Sequence, residues 1–294
     1  MSKQQQKVGV IGLGNMGGAM GANLIKNGFQ NVVGFDPAPQ CQKNFAAAGG
    51  QVLDSVAAVG ACCDVIILSL PSVAALEENL DLLIPVARDG TILLETSTFP
   101  VMEKIRLNKK LDNTGITMLD APLSGTGAQA KVGDLAVFVS GDEEAARKVT
   151  DVVDGFSRKQ YYLGEFGNGM KMKCVANLMV AIHNQSGAEG MLLGTRYGLP
   201  AQLVYDVIAD SAGASRMFQV RGPLMVSQQW EPATMANGLF QKDLALISAA
   251  LEETGVIAPT FEATLPIYEV AAVDHKDGDT AAVYAVLDKM SDSK

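Results

Sequence analysis

The sequence predicts an α/β protein in which a doubly wound parallel sheet, over residues 1–165, is followed by an all-α domain over residues 166–294. Three observations predict it. Short, continuous apolar runs alternate with helical stretches through the first half of the chain. A glycine-rich turn follows the first of those runs directly. The strand signal then stops near Gly164, and a long helical pattern takes over.

Taken in order, KVGVI (7–11) is the first strand, followed by a helix over about 16–27. NVVGF (31–35) is the second strand. VIILSL (65–70) and TILLE (91–95) carry no polar alternation, as strands buried on both faces of a parallel sheet require. ITMLD (116–120), LAVFVS (135–140) and QYYLG (160–164) complete the set, with helical material between most of them. Strand–helix alternation of this kind reads as a doubly wound domain. From 168 to 197 the pattern suits one long helix, with further helices near 200–210, 239–254 and 263–274. No linker rich in Pro, Ser or charge separates the halves, so the domain boundary is a change of structural class.

Bulk properties narrow the function. A chain of 294 residues, 48% hydrophobic, can bury one large or two modest cores. The net charge of −9 argues against nucleic acid as a partner, which needs a basic face. It leaves room for an anionic small molecule in a local cationic pocket. The apolar runs are too short and too often broken to span a membrane. The N-terminus leads straight into a strand, with no signal-peptide core before it. Cys41, Cys62, Cys63 and Cys174 form no CxxC pair. A soluble, reduced, cytoplasmic protein is expected.

The glycine turn is Gly12-x-Gly14-x-x-Gly17. The triplet alone is weak evidence in a chain with 30 glycines. Its context, after a strand and opening a helix, gives it weight. Gly12 permits the tight turn, Gly14 lets backbone approach a pyrophosphate, and Gly17 lets helix and strand pack closely. The helix N-terminus then offers free N–H groups and the positive end of its dipole to phosphates. This is the Rossmann arrangement. Asp36 ends the second strand, where an acidic residue binds the ribose hydroxyls and repels a 2′-phosphate. Pro37, Ala38, Pro39 and Gln40 supply no arginine to counter that repulsion, so NAD is expected over NADP.

Ligands of open parallel sheets bind outside the carboxyl ends of the strands. Three such ends look chemical: LPS (70–72), ETST (95–98) and DAPLSGTGAQA (120–130). The last can turn backbone N–H groups and two hydroxyls toward a carboxylate.

With these motifs, and with GNGMKMKCVAN (167–177), FQKDL (240–244) and GDTAAV (278–283) in the same order, the chain resembles the β-hydroxyacid dehydrogenases over nearly its whole length. The resemblance implies an enzyme interconverting a small β-hydroxy acid and its semialdehyde or keto acid. It implies an active site in a cleft between the two domains, and a homodimer or homotetramer. It places the substrate carboxylate on Ser124, Gly125 and Thr126; many members have a second Gly where this chain has Thr126. It places the cofactor against Gly12, Leu13, Gly14, Asn15, Met16, Asp36, Leu70, Pro71 and Thr98, with Lys242 reaching it from the helical domain.

Two lysines lie close together in the long helix, Lys171 and Lys173. A helix advances about 100° per residue, so Lys173 shares a face with Asn177, four residues on, and Lys171 does not. Val180 and Asn184 continue the Lys173 stripe. The resemblance selects the same residue: its catalytic lysine aligns with Lys173, and its substrate-orienting asparagine with Asn177. A nicotinamide carries hydride, so the protein must position the substrate and manage a proton. A free lysine, with a pKa near ~10.4, is a poor base at neutral pH, and burial beside a nicotinamidium would lower that value.

Other residues carry less. His183 lies off the Lys173 stripe and reads as packed or surface; His275, in DHKDG, reads as an exposed turn. No spacing of His, Cys or Asp suggests a metal site, and no GxSxG suggests a serine nucleophile. Arg216 and Arg221 read as surface salt-bridge partners, with a distal polar group on the substrate as the other use. Imine reductases and a non-catalytic NAD-binding scaffold share the expected fold; Lys173 counts against both.

Overall fold

A parallel strand covered by helices on both faces has no polar side, and its neighbours must be reached by crossover connections. The computed structural model, which describes residues 5–292, follows that rule through the first of two compact units, 1–173 and 174–294. In chain order its elements begin with β1 (Lys7–Ile11), α1 (Asn15–Lys26), β2 (Asn31–Phe35), α2 (Pro39–Ala47), β3 (Gln51–Val52) and α3 (Val56–Cys62). They continue with β4 (Val65–Leu68), α4 (Val73–Leu83), β5 (Ile92–Glu95), α5 (Val101–Asn108) and β6 (Thr117–Asp120).

These six strands form one parallel sheet in the order β3-β2-β1-β4-β5-β6. Register is set by pairs such as Val10 with Gly34 and Ile67 with Leu94. Side chains alternate between two cores. Val65, Ile67 and Leu94 enter the core shared with Leu24 and Phe29. Ile66, Leu68 and Leu93 enter the core shared with Leu76, Leu80 and Leu107. The strand order reverses between β1 and β4, so a crevice opens beyond their carboxyl ends.

The later strands leave this sheet. β7 (Leu123–Ser124), α6 (Gly127–Lys131), β8 (Ala136–Val139), α7 (Glu143–Lys148), α8 (Thr150–Phe156) and β9 (Lys159–Tyr162) build a separate three-stranded sheet, β7-β8-β9. Its β7–β8 pair is antiparallel. The expectation that 135–140 and 160–164 extend the doubly wound set is corrected. β6 runs on through Ala121 and Pro122 into β7, whose pairing with β8 founds a second layer edge instead of a seventh parallel strand.

The long helix α9 runs Asn168–Arg196. The second unit continues with α10 (Ala201–Ala209), α11 (Arg216–Ser227), α12 (Asn237–Thr254), α13 (Pro259–Glu262), α14 (Leu265–Asp274) and α15 (Val283–Asp292). All of it is helical, as expected. Its core gathers Met191, Phe218, Phe240, Phe261 and Tyr268. Arg221, expected at the surface, is only 2% exposed; its Nε donates to Asp279 at 3.1 Å and to Thr280 Oγ1 at 2.7 Å. A buried guanidinium must have a counter-charge, and Asp279 supplies it from the segment before α15. Arg216 is exposed. Among the described residues no helix is long and apolar enough to cross a membrane.

Candidate active site

The first half of the site is the crevice at the sheet's reversal point. A cavity of about 600 Å³ opens there, lined by Gly12, Gly14, Asn15, Met16, Asp36, Leu70 and Pro71, seven of the residues expected against a cofactor. Gly12 turns the chain with φ of +88°. A Cβ on Gly17 would lie 1.8 Å from the Gly12 carbonyl oxygen, so the first turn of α1 can sit on β1 only without a side chain there. A Cβ on Gly14 would meet nothing within 4 Å, so the space in front of that residue is open to an incoming group. Gly14 is also the residue before α1 and offers no side chain to cap it. The first-turn amides are thus left for phosphates, which helix N-termini favour.

Asp36 is held on both sides. Its Oδ2 accepts the Leu13 N–H at 2.7 Å and its Oδ1 accepts the Ala38 N–H at 2.7 Å. Leu13 is buried and supports the turn from behind; it lies outside the cavity lining. A carboxylate has about four acceptor positions, so roughly two remain for ribose hydroxyls. The residues present therefore fit an adenine dinucleotide: open backbone for the pyrophosphate, an oriented carboxylate for the ribose, and apolar walls from Val56 and Leu82 for the base. Thr98, half-buried beyond β5, is not among the lining residues.

The DAPLSG loop places Ser124 at the end of β7 and Gly125 at φ of +143°. Thr126 is the N-cap of α6. Its Oγ1 accepts the Gln129 N–H at 3.4 Å, and its own N–H donates to Gln129 Oε1 at 3.0 Å. This is a reciprocal capping box, T-x-x-Q, and its signal was present in the sequence. It gives the Thr126 hydroxyl a local partner, a role that sequence reasoning missed.

The lysines separate as helix geometry requires. Lys173 is buried, 7% exposed, and Asn177 one turn on is 6% exposed. Lys171 is exposed, with its Nζ donating to Asn168 Oδ1 at 3.1 Å. Asn184, further along the stripe, does something else: its amide donates to Tyr268 Oη at 3.2 Å and Thr280 Oγ1 at 3.3 Å inside the second unit's core. Lys242 is exposed on α12. His183 is half-buried in an apolar groove with Leu193 and Tyr197, and His275 is half-buried at the end of α14. Among the described residues no group of three or more His, Cys, Asp and Glu could hold a metal ion.

Sequence reasoning also missed a buried cluster at the ends of β5 and β6. Lys104 on α5 lies 2.5 Å from Glu95 Oε2 and 2.7 Å from Asp120 Oδ1, with all three side chains fully buried. Burial drives the Lys104 pKa down, but the two carboxylates outweigh it and hold the amine above its ordinary value. The signal was available: Glu95 and Asp120 end adjacent apolar strands, and two buried carboxylates demand a cation.

Residues 7–164 match the model for the NAD-binding domain of 6-phosphogluconate dehydrogenase. Residues 167–287 match the model for the NAD-binding domain of NADP-dependent 3-hydroxyisobutyrate dehydrogenase. The chain is 32% identical to the "Probable 3-hydroxyisobutyrate dehydrogenase" of Mycobacterium bovis, over 97% of this chain and 99% of that protein. It is 32% identical to the L-threonate dehydrogenase of Cupriavidus necator, over 96% of each. Among solved structures, the 3-hydroxyisobutyrate dehydrogenase of Mycobacterium tuberculosis superposes with a TM-score of 0.87 at 31% identity, covering 96% of this chain and 99% of that one. Two family models that together span most of the chain, and full-length relatives above 30% identity, leave one assignment: the chain belongs to the β-hydroxyacid dehydrogenase family of NAD(P)-dependent oxidoreductases.

Proposed function

We propose that the enzyme interconverts a small β-hydroxy acid, of the polyhydroxy sugar-acid kind, and its keto acid or semialdehyde, with Lys173 as general acid and base. The observation that carries the reading is the burial of Lys173 with Asn177 on one face of α9, two residues from a solvated Lys171. A nicotinamide dinucleotide, held by Gly12, Gly14, Asn15, Met16, Asp36, Leu70 and Pro71, supplies the hydride chemistry when bound. In the reductive direction Lys173 Nζ gives a proton to the carbonyl oxygen; in the oxidative direction it accepts the hydroxyl proton. Asn177 donates to the same oxygen or to the carboxylate and fixes the substrate's orientation. By the family resemblance, Ser124, Gly125 and Thr126 take the carboxylate, and Thr98 and Lys242 are cofactor contacts.

Two further supports bear on specificity. Asp36, held by the Leu13 and Ala38 amides at the cofactor cavity, supports NAD over NADP, since an acidic residue after the second strand repels a 2′-phosphate. The sugar-acid preference draws on the L-threonate dehydrogenases among the relatives. The test is turnover on a panel of L-threonate, 3-hydroxyisobutyrate, 4-hydroxybutyrate and glycerate with NAD and NADP. Lys173→Ala should lower kcat by about 10²- to 10⁴-fold, the range for a lost general acid–base, while NADH binding by fluorescence stays near wild type. Near-normal turnover in the variant would overturn the reading.

A further inference from the structure

The cluster of Glu95, Lys104 and Asp120 has two arms, both inside the first unit. On one side Glu95 Oε1 accepts the Ser97 N–H at 2.8 Å, and Ser97 Oγ accepts the Leu70 N–H at 2.9 Å. Leu70 lines the cofactor cavity. On the other side Asp120 Oδ2 accepts the Met170 N–H at 2.7 Å, and Ser140 Oγ accepts the Gly169 N–H at 2.8 Å while lying 3.3 Å from Asp120 Oδ2. Gly169 and Met170 are the second and third residues of α9, and Lys173 follows one turn later.

The start of α9 is therefore fully accounted for. Its first four amides would be orphans in a bare helix. Here Asn168 donates to Glu165, Gly169 to Ser140, Met170 to Asp120 and Lys171 to Gly167. The carboxylate also meets the positive end of the helix dipole. The fit is close: a Cβ on Gly169 would lie 2.3 Å from the Phe138 carbonyl oxygen. Buried ion pairs add little net stability compared with apolar packing, yet they resist any displacement that would strand a charge. A fully buried lysine between two carboxylates is thus a costly way to fill a core and an effective way to fix the groups attached to it.

We propose that Glu95, Lys104 and Asp120 are positioning residues: one buried ionic anchor that holds, at its Glu95 end, the Leu70 loop of the cofactor cavity and, at its Asp120 end, the helix turn that carries Lys173. The inference rests on the acid–base reading of Lys173. It predicts that the two ends separate kinetically.

Asp120→Asn keeps the shape but makes one of its two contacts, to Lys104 or to the Met170 N–H, donor against donor. A displacement of the order of 1 Å at a reacting group costs about 10²-fold, so kcat should fall by about 10- to 100-fold. NADH affinity should stay within about threefold, the scale of one neutral hydrogen bond. Ser140→Ala removes the Gly169 bond and the longer one to Asp120, and should lower kcat by about 3- to 10-fold in the same pattern. It serves as the test if Asp120→Asn does not fold. Ser97→Ala should do the reverse: a weaker NADH Kd by about 3- to 10-fold with kcat nearly kept. Placed on Lys173→Ala, Asp120→Asn should cause little further loss, because groups acting through one another are non-additive.

Each variant is first shown to be folded by circular dichroism, then assayed with the panel acid of highest turnover. Native kcat in Asp120→Asn and Ser140→Ala, with Lys173→Ala inactive, overturns the anchor alone. So does a full additional loss in the double variant, or an unchanged NADH Kd in Ser97→Ala. A wild-type level of turnover in Lys173→Ala, or no turnover by the wild type on the panel, overturns the acid–base reading and the anchor with it.

Discussion

Asp36 combines an observed structural role with the cofactor selectivity proposed for it. Two amide donors at 2.7 Å lock its carboxylate, and the residue lines the cavity. Asp36→Ser keeps a short polar side chain but removes the negative charge and one of the two anchoring bonds. The NAD-to-NADP preference in kcat/KM should fall by at least about tenfold, since repulsion of a 2′-phosphate is lost. Steady-state kinetics with both cofactors reads this directly; an unchanged preference would mean that selectivity lies elsewhere. At this scale the sequence was most legible where geometry is periodic. The angle of about 100° per residue separated Lys173 from Lys171 without any structure. It also put Asn184 on the same stripe, and there the rule ran out. Periodicity names a face, but not the partner behind it, and Tyr268 and Thr280 come from 84 and 96 residues away. Arg221 failed for the same reason: its partner Asp279 is 58 positions distant.

Elements were legible when local pattern and tertiary role agreed. The five longer strands of the main sheet have apolar centres buried on both faces, and each was found within a residue or two of its observed ends. β3 and β7, at two residues each, are too short to carry a period. α11 was hidden by Pro223, which by itself argues for a break. The missing N–H leaves the Gln219 carbonyl without its helical donor. The Tyr205 hydroxyl supplies one at 3.1 Å, and the tyrosine ring covers Gly222. A tyrosine on α10 thus lets a Gly-Pro pair remain inside a helix, which no local rule could foresee. The turn before α1 is the opposite case, because its glycines are local requirements. Gly17→Ala forces a methyl group against a backbone oxygen 1.8 Å away, and backbone cannot yield as a side chain can. The variant should lose about 1–3 kcal/mol of stability, the usual range for overpacking, and bind NADH at least about tenfold more weakly. Chemical denaturation and fluorescence titration check the two effects. A variant as stable as wild type would show that the turn is less closely packed than these distances require.

At the scale of the whole molecule, both units close apolar packing around buried charge. The first does so on either side of its sheet, around Glu95, Lys104 and Asp120. The second does so around Arg221 and Asp279, and this pair gives it a defined response to acid. Asp279 ties together distant segments: Oδ1 also accepts the Ala281 N–H, and Oδ2 accepts the Thr234 N–H and hydroxyl and the Met235 N–H. Burial pushes its pKa up, but Arg221 and the donors from Thr234 and Ala281 outweigh that, and the carboxyl titrates below its ordinary value. The sign of the consequence is fixed. An unfolded chain, with Asp pKa near ~3.9, takes up the proton before the native state does. Stability from this group is complete above that value and falls as pH drops from about 4 toward the lower native pKa. The single tryptophan, Trp230, reports on this region: its carbonyl accepts the Asp279 N–H at 2.8 Å and its ring packs on Tyr284. Denaturant unfolding followed by tryptophan fluorescence should therefore show a midpoint that declines below pH 4. Asp279→Asn should be less stable by about 3–5 kcal/mol at pH 7, because it leaves a buried guanidinium without its charge, and its acid limb should be flatter than the wild type's. Parallel acid limbs in the two proteins would assign the acid sensitivity to other carboxylates and reduce Asp279 to a turn-forming residue.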